Sequence, residues 1–246
     1  MAYNTIMETA VEKRLLELNF QFYQSFADDF SATRERLQPG VEKLLSSIPP
    51  GSRILDLGCG NGNIIRALAI RGFKGFYLGA DFSPGLLEHA PREQAQGLES
   101  VFIQLDLTSE RWEGELPREP FDYALCFAVL HHIPGHQARL GVCRKLGYLL
   151  QESGRLFLSN WQFLNSSRLR KRIVSWEKAG VAEADLDAGD YLLDWKRGGL
   201  GLRYVHLFSG EELDALAEES GFQVLESFLS DGKEGNLGLY QAWELS

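Results

Sequence analysis

The chain has 246 residues, 44% of them hydrophobic, enough to close one substantial core and little more. Its 25 basic against 34 acidic residues leave a formal net charge of -9, which excludes a general attraction to nucleic acid or anionic lipid and leaves any polyanion to a local basic patch. Cys59, Cys126 and Cys143 are odd in number and sit in apolar or glycine-rich stretches, as reduced thiols do. Met1 to Ala10 lacks the basic start and apolar run of a signal peptide. The longest apolar stretch, about Phe121 to Leu130, falls short of the roughly 20 residues that span a bilayer. The expectation is a cytoplasmic protein with no membrane partner.

Residues 3 to 30 carry Leu15, Leu16, Leu18, Phe22 and Phe26 at helical spacing, and a second helical stretch runs from about Gly40 to Ser47. These are N-terminal helices over residues 1–48. Pro49-Pro50-Gly51 breaks the pattern, and Arg53 to Leu57 reads as a short strand buried on both faces. Glycines 58, 60 and 62 open a helix over Ile64 to Ala69, and a strand from about Gly75 to Ala80 ends at Asp81. Further strands fall near Val101 to Leu105, Phe121 to Phe127 and Gly154 to Ser159, with helices around Gly85 to Ala90 and Gln137 to Gln151. Such alternation predicts a parallel sheet with helices on both faces. Between about Trp161 and Val205 the pattern lapses into an aromatic and charged stretch, read as an inserted cap. A helix from Ser209 to Ser220 follows. Phe222 to Leu229 and Leu237 to Leu245 flank the turn at residues 230–233 and must run antiparallel. The fold class is therefore α/β: a Rossmann-like, doubly wound, seven-stranded and mostly parallel sheet with an antiparallel C-terminal strand, in a single domain over 1–246 with a cap at 161–205.

Asp56-Leu57-Gly58-Cys59-Gly60-Asn61-Gly62 leaves a strand and enters a helix, the context in which glycines let a backbone turn tightly and approach a ligand. Asp81 ends the next strand, where a carboxylate can accept from vicinal ribose hydroxyls. It also precedes Ser83 and Pro84, which cap and start the following helix. Asp106 ends the third strand and fits an adenine amino group, with Leu107 beside the ring, or is an ordinary loop acid.

Residues Ile54 to Asn63, Asp81-Phe82-Ser83, Gln104 to Leu107 and Phe121 to Ala124 resemble the successive motifs of class I S-adenosylmethionine-dependent methyltransferases, over roughly residues 50–160. The resemblance implies S-adenosylmethionine as cofactor. It assigns the methionine end to Asp56, the ribose to Asp81 and the adenine to Asp106, with Gly58, Gly60, Gly62, Phe82, Ser83 and Leu107 also expected at the cofactor. Cys126, Phe127 and Ala128 would line the methionine moiety.

Three outlying segments carry a narrower resemblance: Phe26 to Arg34, Ala128 to Ile133 and Leu202 to Phe208 are similar to the tRNA wobble-uridine carboxymethyl methyltransferases. That family esterifies 5-carboxymethyluridine, and its eukaryotic members work with a small activator protein. The chain departs from it at Gln38, where tryptophan is frequent, and at Val205, where tyrosine is. A carboxylate is already nucleophilic at neutral pH and needs cationic or hydrogen-bonding groups that align it, not a strong base. Arg34, His132, Arg203 and Tyr204 are the candidates, since arginine grips a carboxylate through two parallel bonds. Against this, Arg34 can complement a helix end, Arg203 and Tyr204 can anchor the cap, and His131 or His132 can serve as base for a hydroxyl or amine. A metal is not expected at these histidines, which lack a paired carboxylate or thiolate. Arg168, Arg170, Lys171 and Arg172 interleave with Trp161, Phe163 and Trp176 as in a patch for phosphate and bases, or as a solvated helix face. The acids from Glu183 to Asp194 offset that charge. The methyl acceptor is thus a modified tRNA or a small molecule, and a non-catalytic, cofactor-binding activator subunit is the third reading.

Overall fold

The computed structural model describes residues 7–27, 29, 36–91 and 96–246. Arg34, one of the expected acceptor residues, lies outside the described residues. Helix α1 (Thr9–Ser25) buries Leu15, Leu18, Asn19, Phe22 and Tyr23, the stripe that a 3.6-residue period places on one face. Helix α2 (Pro39–Leu45) begins on a proline, whose missing N–H is no loss in the first turn.

Seven strands follow in one sheet: β1 (Arg53–Leu57), β2 (Gly75–Asp81), β3 (Leu98–Gln104), β4 (Phe121–Phe127), β5 (Leu150–Trp161), β8 (Phe222–Ser230) and β9 (Gly238–Leu245). Their order is β3-β2-β1-β4-β5-β9-β8. The pairs β1·β2, β1·β4, β2·β3 and β4·β5 are parallel, while β9 runs antiparallel to both β5 and β8. The seven-stranded, mostly parallel sheet with its antiparallel last strand is as the alternation predicts. Strand β3 starts earlier than expected because Leu98, Glu99 and Ser100 already pair with Gly75, Phe76 and Tyr77.

Alternation along β1 divides the core. Leu55 and Leu57 face α5 (His136–Leu149) and α7 (Gly210–Glu219), where Leu140, Cys143, Leu146, Leu213 and Leu216 close one layer. Ile54 faces the layer of α2 and α3 (Asn63–Ile70), with Leu44, Ile65 and Leu68. Each large apolar side chain sealed in these layers contributes roughly 1.5–3 kcal/mol. Helix α4 (Pro84–Leu87) is a single turn capped by Ser83, shorter than the stretch to Ala90 expected. The three cysteines are buried and free.

The cap contains a feature its composition conceals. After α6 (Ser167–Arg170) and two short 3-10 turns, β6 (Asp190–Trp195) and β7 (Gly201–His206) form an antiparallel hairpin of their own. It packs on α1: the Asn19 side chain accepts from the Tyr204 N–H at 2.8 Å and donates to its carbonyl at 3.2 Å, and Trp195 meets Phe22 edge-on. Helix α1 thereby lies between the cap and the carboxyl ends of the sheet. Among the described residues no helix is long and apolar enough to cross a membrane.

Candidate active site

The strand order turns back between β1 and β4, and in an open α/β sheet the crevice outside that reversal is where ligands bind. Gly58, Gly60 and Gly62 there have φ of +71°, +55° and +75°, values that disfavour any β-carbon. The loop is pinned where the Gly58 N–H donates to the Ala80 carbonyl at 2.7 Å. A Cβ on Gly58 would stand 2.3 Å from Val129 Cγ2, whereas one on Gly60 would meet nothing within 4 Å. The turn thus packs tightly on one side and opens on the other.

It opens on a cavity of about 490 Å³ lined by Gly58, Gly60, Asp81, Phe82, Asp106, Leu107, Phe127 and Ala128, and roofed by Leu16, Asn19, Phe20 and Tyr23 of α1. Asp81 accepts from the Gly60 N–H and the Ser83 N–H, both at 2.9 Å, so one carboxylate fixes two loops. Burial raises its pKa above the ordinary carboxylate value, and those two N–H groups oppose the shift. Asp106 accepts from the Thr108 N–H and hydroxyl, which turns the chain at the cavity edge.

Three expected residues stand behind this wall. Gly62 caps α3, and a Cβ there would strike Pro91. Ser83 is buried and accepts from the Leu86 N–H. Asp56 is fully buried and takes the Tyr77 hydroxyl hydrogen. Burial pushes its carboxyl up to about 7, the Tyr77 bond pulls down and the nearby Asp81 charge pushes up.

A second cavity of about 460 Å³ shares Phe127, Ala128 and His132 with the first; its further lining includes Trp161, Trp195, Asn160, Arg203 and the cap cations, together with the carboxylates of Asp194 and Asp231. At the shared wall Ala128 holds φ +58°, a left-handed conformation that costs a residue with a β-carbon about 1–2 kcal/mol. Its N–H donates to both the carbonyl and the hydroxyl of Ser159, at 2.9 and 3.2 Å. One carbonyl and one hydroxyl, both of Ser159 on β5, therefore hold the bend that separates the cavities.

Arg203 is only 8% exposed, and its guanidinium lies 5.1 Å from the Phe22 ring centre and 4.9 Å from that of Trp161. Among the described residues its side chain makes no ion pair or hydrogen bond, and its charge lies between the two aromatic faces at the cavity wall. Tyr204, the next residue on β7, points to the opposite face, as strand alternation requires. Its hydroxyl is fully buried, donates to Asp190 at 2.7 Å and faces Arg139. Burial and the Asp190 charge hold that hydroxyl well above the usual tyrosine range. Tyr204 therefore reaches neither cavity; it contributes through its main chain, whose carbonyl meets His132 Nδ1 at 3.1 Å.

His132 Nε2 lies 2.8 Å from the Tyr23 hydroxyl, so both of its ring nitrogens are engaged. His131 is buried, with Nδ1 3.3 Å from Asn160 Oδ1. Among the described residues no group of His, Cys, Asp and Glu is arranged to hold a metal. Of the cap cations, Arg172 and Lys196 both pair with Asp194, at 3.3 and 3.1 Å, while Arg168 stands exposed at the cavity rim with no salt bridge among the described residues. Arg170 and Lys171 are exposed and outside the cavity. The sequence reading passed over Tyr23, Asn19, Trp195 and Asn160. For the first two a signal existed: polar groups four residues apart on an otherwise apolar helical stripe.

Two adjoining cavities that share one wall at a strand end, one of them bounded by a glycine turn, have room for two small molecules side by side. A family profile described as "Methyltransferase domain" matches residues 30–227, and the chain belongs to that methyltransferase family. It is 32% identical over 209 residues to a putative methyltransferase of Encephalitozoon cuniculi, covering 84% of this chain and 87% of that one. It is 28% identical over 222 residues to the tRNA (carboxymethyluridine(34)-5-O)-methyltransferase of Schizosaccharomyces pombe, covering 84% and 89%. Among solved structures, a SAM-dependent methyltransferase from Methanosarcina mazei superposes with a TM-score of 0.62 at 20% identity, over 85% of this chain and 98% of that one.

Proposed function

We propose that the chain transfers a methyl group from S-adenosylmethionine to the carboxylate of a 5-carboxymethyl wobble uridine in tRNA. The donor supplies, when bound, an electrophilic methyl on a sulfonium. The first cavity fits it on three counts. Its volume of about 490 Å³ lies within the roughly 300–1,000 Å³ usual for small-molecule sites. The open side of Gly60 is space that a β-carbon would occupy. Asp81 keeps acceptor capacity on both oxygens beyond its two backbone donors, as vicinal ribose hydroxyls require. Gly58 and Gly60 would face the methionyl part, Phe82 the ribose, and Asp106 with Leu107 the adenine.

The observation that carries the acceptor reading is Arg203: a buried cation, held rigid by two aromatic faces, opening into the cavity next to the donor's without an anionic partner among the described residues. A desolvated cation of this kind is stabilised most by an anion, and a guanidinium binds a carboxylate in a fixed plane through two N–H groups. Orientation of that plane toward Ala128, where the cavities meet, is what an in-line displacement needs from the protein. Trp161 and Trp195 form apolar walls that shed water and accommodate a heterocycle. His132 gives its Nδ1 hydrogen to a carbonyl and its Nε2 lone pair to Tyr23, which suits an acceptor with no proton to remove. The name of the Schizosaccharomyces pombe relative points to the same acceptor. Arg34 would complete the carboxylate grip, and a small activator protein would accompany the chain in the cytoplasm.

The test is mass spectrometry of tRNA nucleosides and small metabolites from cells with and without the gene. The proposal expects the methyl ester of 5-carboxymethyluridine to disappear and its free acid to accumulate. Unchanged tRNA with loss of a methylated small metabolite would favour a small-molecule acceptor. Loss of ester together with a purified chain that binds donor and never turns over would favour the activator-subunit reading.

A further inference from the structure

The wall between the two cavities holds His132 in one tautomer. The Tyr204 carbonyl, 3.1 Å from Nδ1, can only accept, so Nδ1 carries the ring hydrogen and Nε2 carries the lone pair. That lone pair is 2.8 Å from the Tyr23 hydroxyl, which donates to it. Tyr23 is 7% exposed, and its ring lies edge-on to Phe22, Phe82 and His132, so the hydroxyl is aimed by packing. One helical turn earlier, Asn19 donates to the His132 carbonyl at 3.1 Å and grips both backbone groups of Tyr204. Two residues of α1 thus fix the histidine from both ends.

We propose that Tyr23 is a specificity-determining residue: by giving its hydroxyl hydrogen to His132 Nε2 it masks the histidine base at the junction and restricts transfer to acceptors that arrive already anionic. The inference rests on the methyl-transfer reading of the two cavities. With a carboxylate acceptor, an O–CH₃ bond forms as the S–CH₃ bond breaks, one negative and one positive charge cancel, and no proton moves. With a hydroxyl acceptor the same exchange leaves a proton over, which must pass from oxygen to a base. An unmasked Nε2 lines the place where that proton is released; in the native chain its lone pair is taken. Masking thereby turns a site rich in hydrogen-bonding groups against neutral nucleophiles, a specificity gained by withholding a catalytic group.

The test uses the full chain and two anticodon stem-loop RNAs that differ only in the wobble base, 5-carboxymethyluridine or 5-hydroxymethyluridine. Tyr23→Phe keeps the ring and removes the mask. The ratio of hydroxyl to carboxylate methylation is expected to rise at least ~10-fold, short of the roughly 100- to 10,000-fold that a well-placed general base supplies. In Tyr23→Phe/His132→Gln the gain is expected to vanish, an outcome that a merely structural effect of the first substitution does not produce. A ratio unchanged within twofold, or a gain that survives loss of His132, overturns the proposal. Nitrogen NMR of the imidazole in the donor-free protein supplies a second readout that needs no acceptor: the native chain should show His132 Nε2 unprotonated and hydrogen-bonded, and a proton on that nitrogen overturns the masking whatever the acceptor is. Failure of the native chain to esterify the carboxylate RNA, with the nitrogen spectrum as expected, would count against the acceptor assignment and leave the mask standing.

Discussion

Replacing Arg203 by methionine separates acceptor recognition from folding. Methionine keeps an unbranched apolar stem between Phe22 and Trp161 and removes every donor. One hydrogen bond to a charged group contributes about 1.5–3 kcal/mol, and a paired arginine–carboxylate contact lies toward the upper end. Taking about 3 kcal/mol, and a factor of ten per ~1.4 kcal/mol, kcat/KM for the carboxylate RNA should fall on the order of 100-fold. Stability should barely move. Two cation–aromatic contacts are lost, at roughly 0.5–2 kcal/mol each, but a buried, unpaired charge is relieved at the same time. The melting temperature is therefore expected within a few degrees of the native value, with donor affinity unchanged within twofold. The assay combines steady-state kinetics, calorimetry with S-adenosylhomocysteine and thermal melting. A variant that turns over normally, or one that loses donor affinity and acceptor turnover together, refutes the acceptor role of this arginine.

Four further outcomes concern the first cavity and the residues that support it. Asp81→Asn places an amide NH₂ against one of two backbone donors and weakens ribose contacts, so calorimetry should show roughly 10- to 100-fold weaker binding of S-adenosylhomocysteine. Gly58→Ala should cost about 1–3 kcal/mol in urea unfolding, because its Cβ would stand 2.3 Å from Val129. Gly60→Ala, whose Cβ meets nothing within 4 Å, should cost less stability and more donor affinity. Asp56 has a folded pKa raised from 3.8 to about 7, so the folded state holds that proton more tightly than the unfolded chain does. Its contribution to stability is fully present below 3.8 and is lost as pH rises through about 7. Asp56→Asn lacks this loss, and its stability relative to the native chain should rise between pH 5 and pH 8, by a few kcal/mol at most; a difference independent of pH would contradict the burial argument.

What could be read from the chain was local. A strand that carries Asp56 next to its end, a turn of glycines and a helix start lie within a dozen residues, so the glycine turn and the strand-end acids Asp81 and Asp106, which line the first cavity, were legible from spacing. The sorting of that motif into cavity wall and support was not. Whether Gly62 or Ser83 faces a ligand depends on Pro91 and Leu86, which the local pattern does not place. The cap hairpin was missed because Asp190 to Trp195 and Gly201 to His206 are each partly covered by α1, which blurs their alternation. Without that strand, Arg203 and Tyr204 looked like a pair, although neighbours on a strand face opposite ways. The wall between the two cavities joins residues far apart in the chain, Asn19 and Tyr23 to Tyr204, and only the folded arrangement brings them to one histidine.

If a pre-ionised carboxylate is the group methylated, as proposed, the product is an ester, and the alkali lability of an ester separates it from every other methylated product. The chain, with and without a candidate activator protein, is incubated with methyl-labelled S-adenosylmethionine and the 5-carboxymethyluridine stem-loop, and the recovered RNA is treated with mild alkali. An ester releases the label as methanol, and this is the predicted result. Label that enters the RNA and stays there through alkali would place the methyl on nitrogen, carbon or an ether oxygen, and would contradict the account.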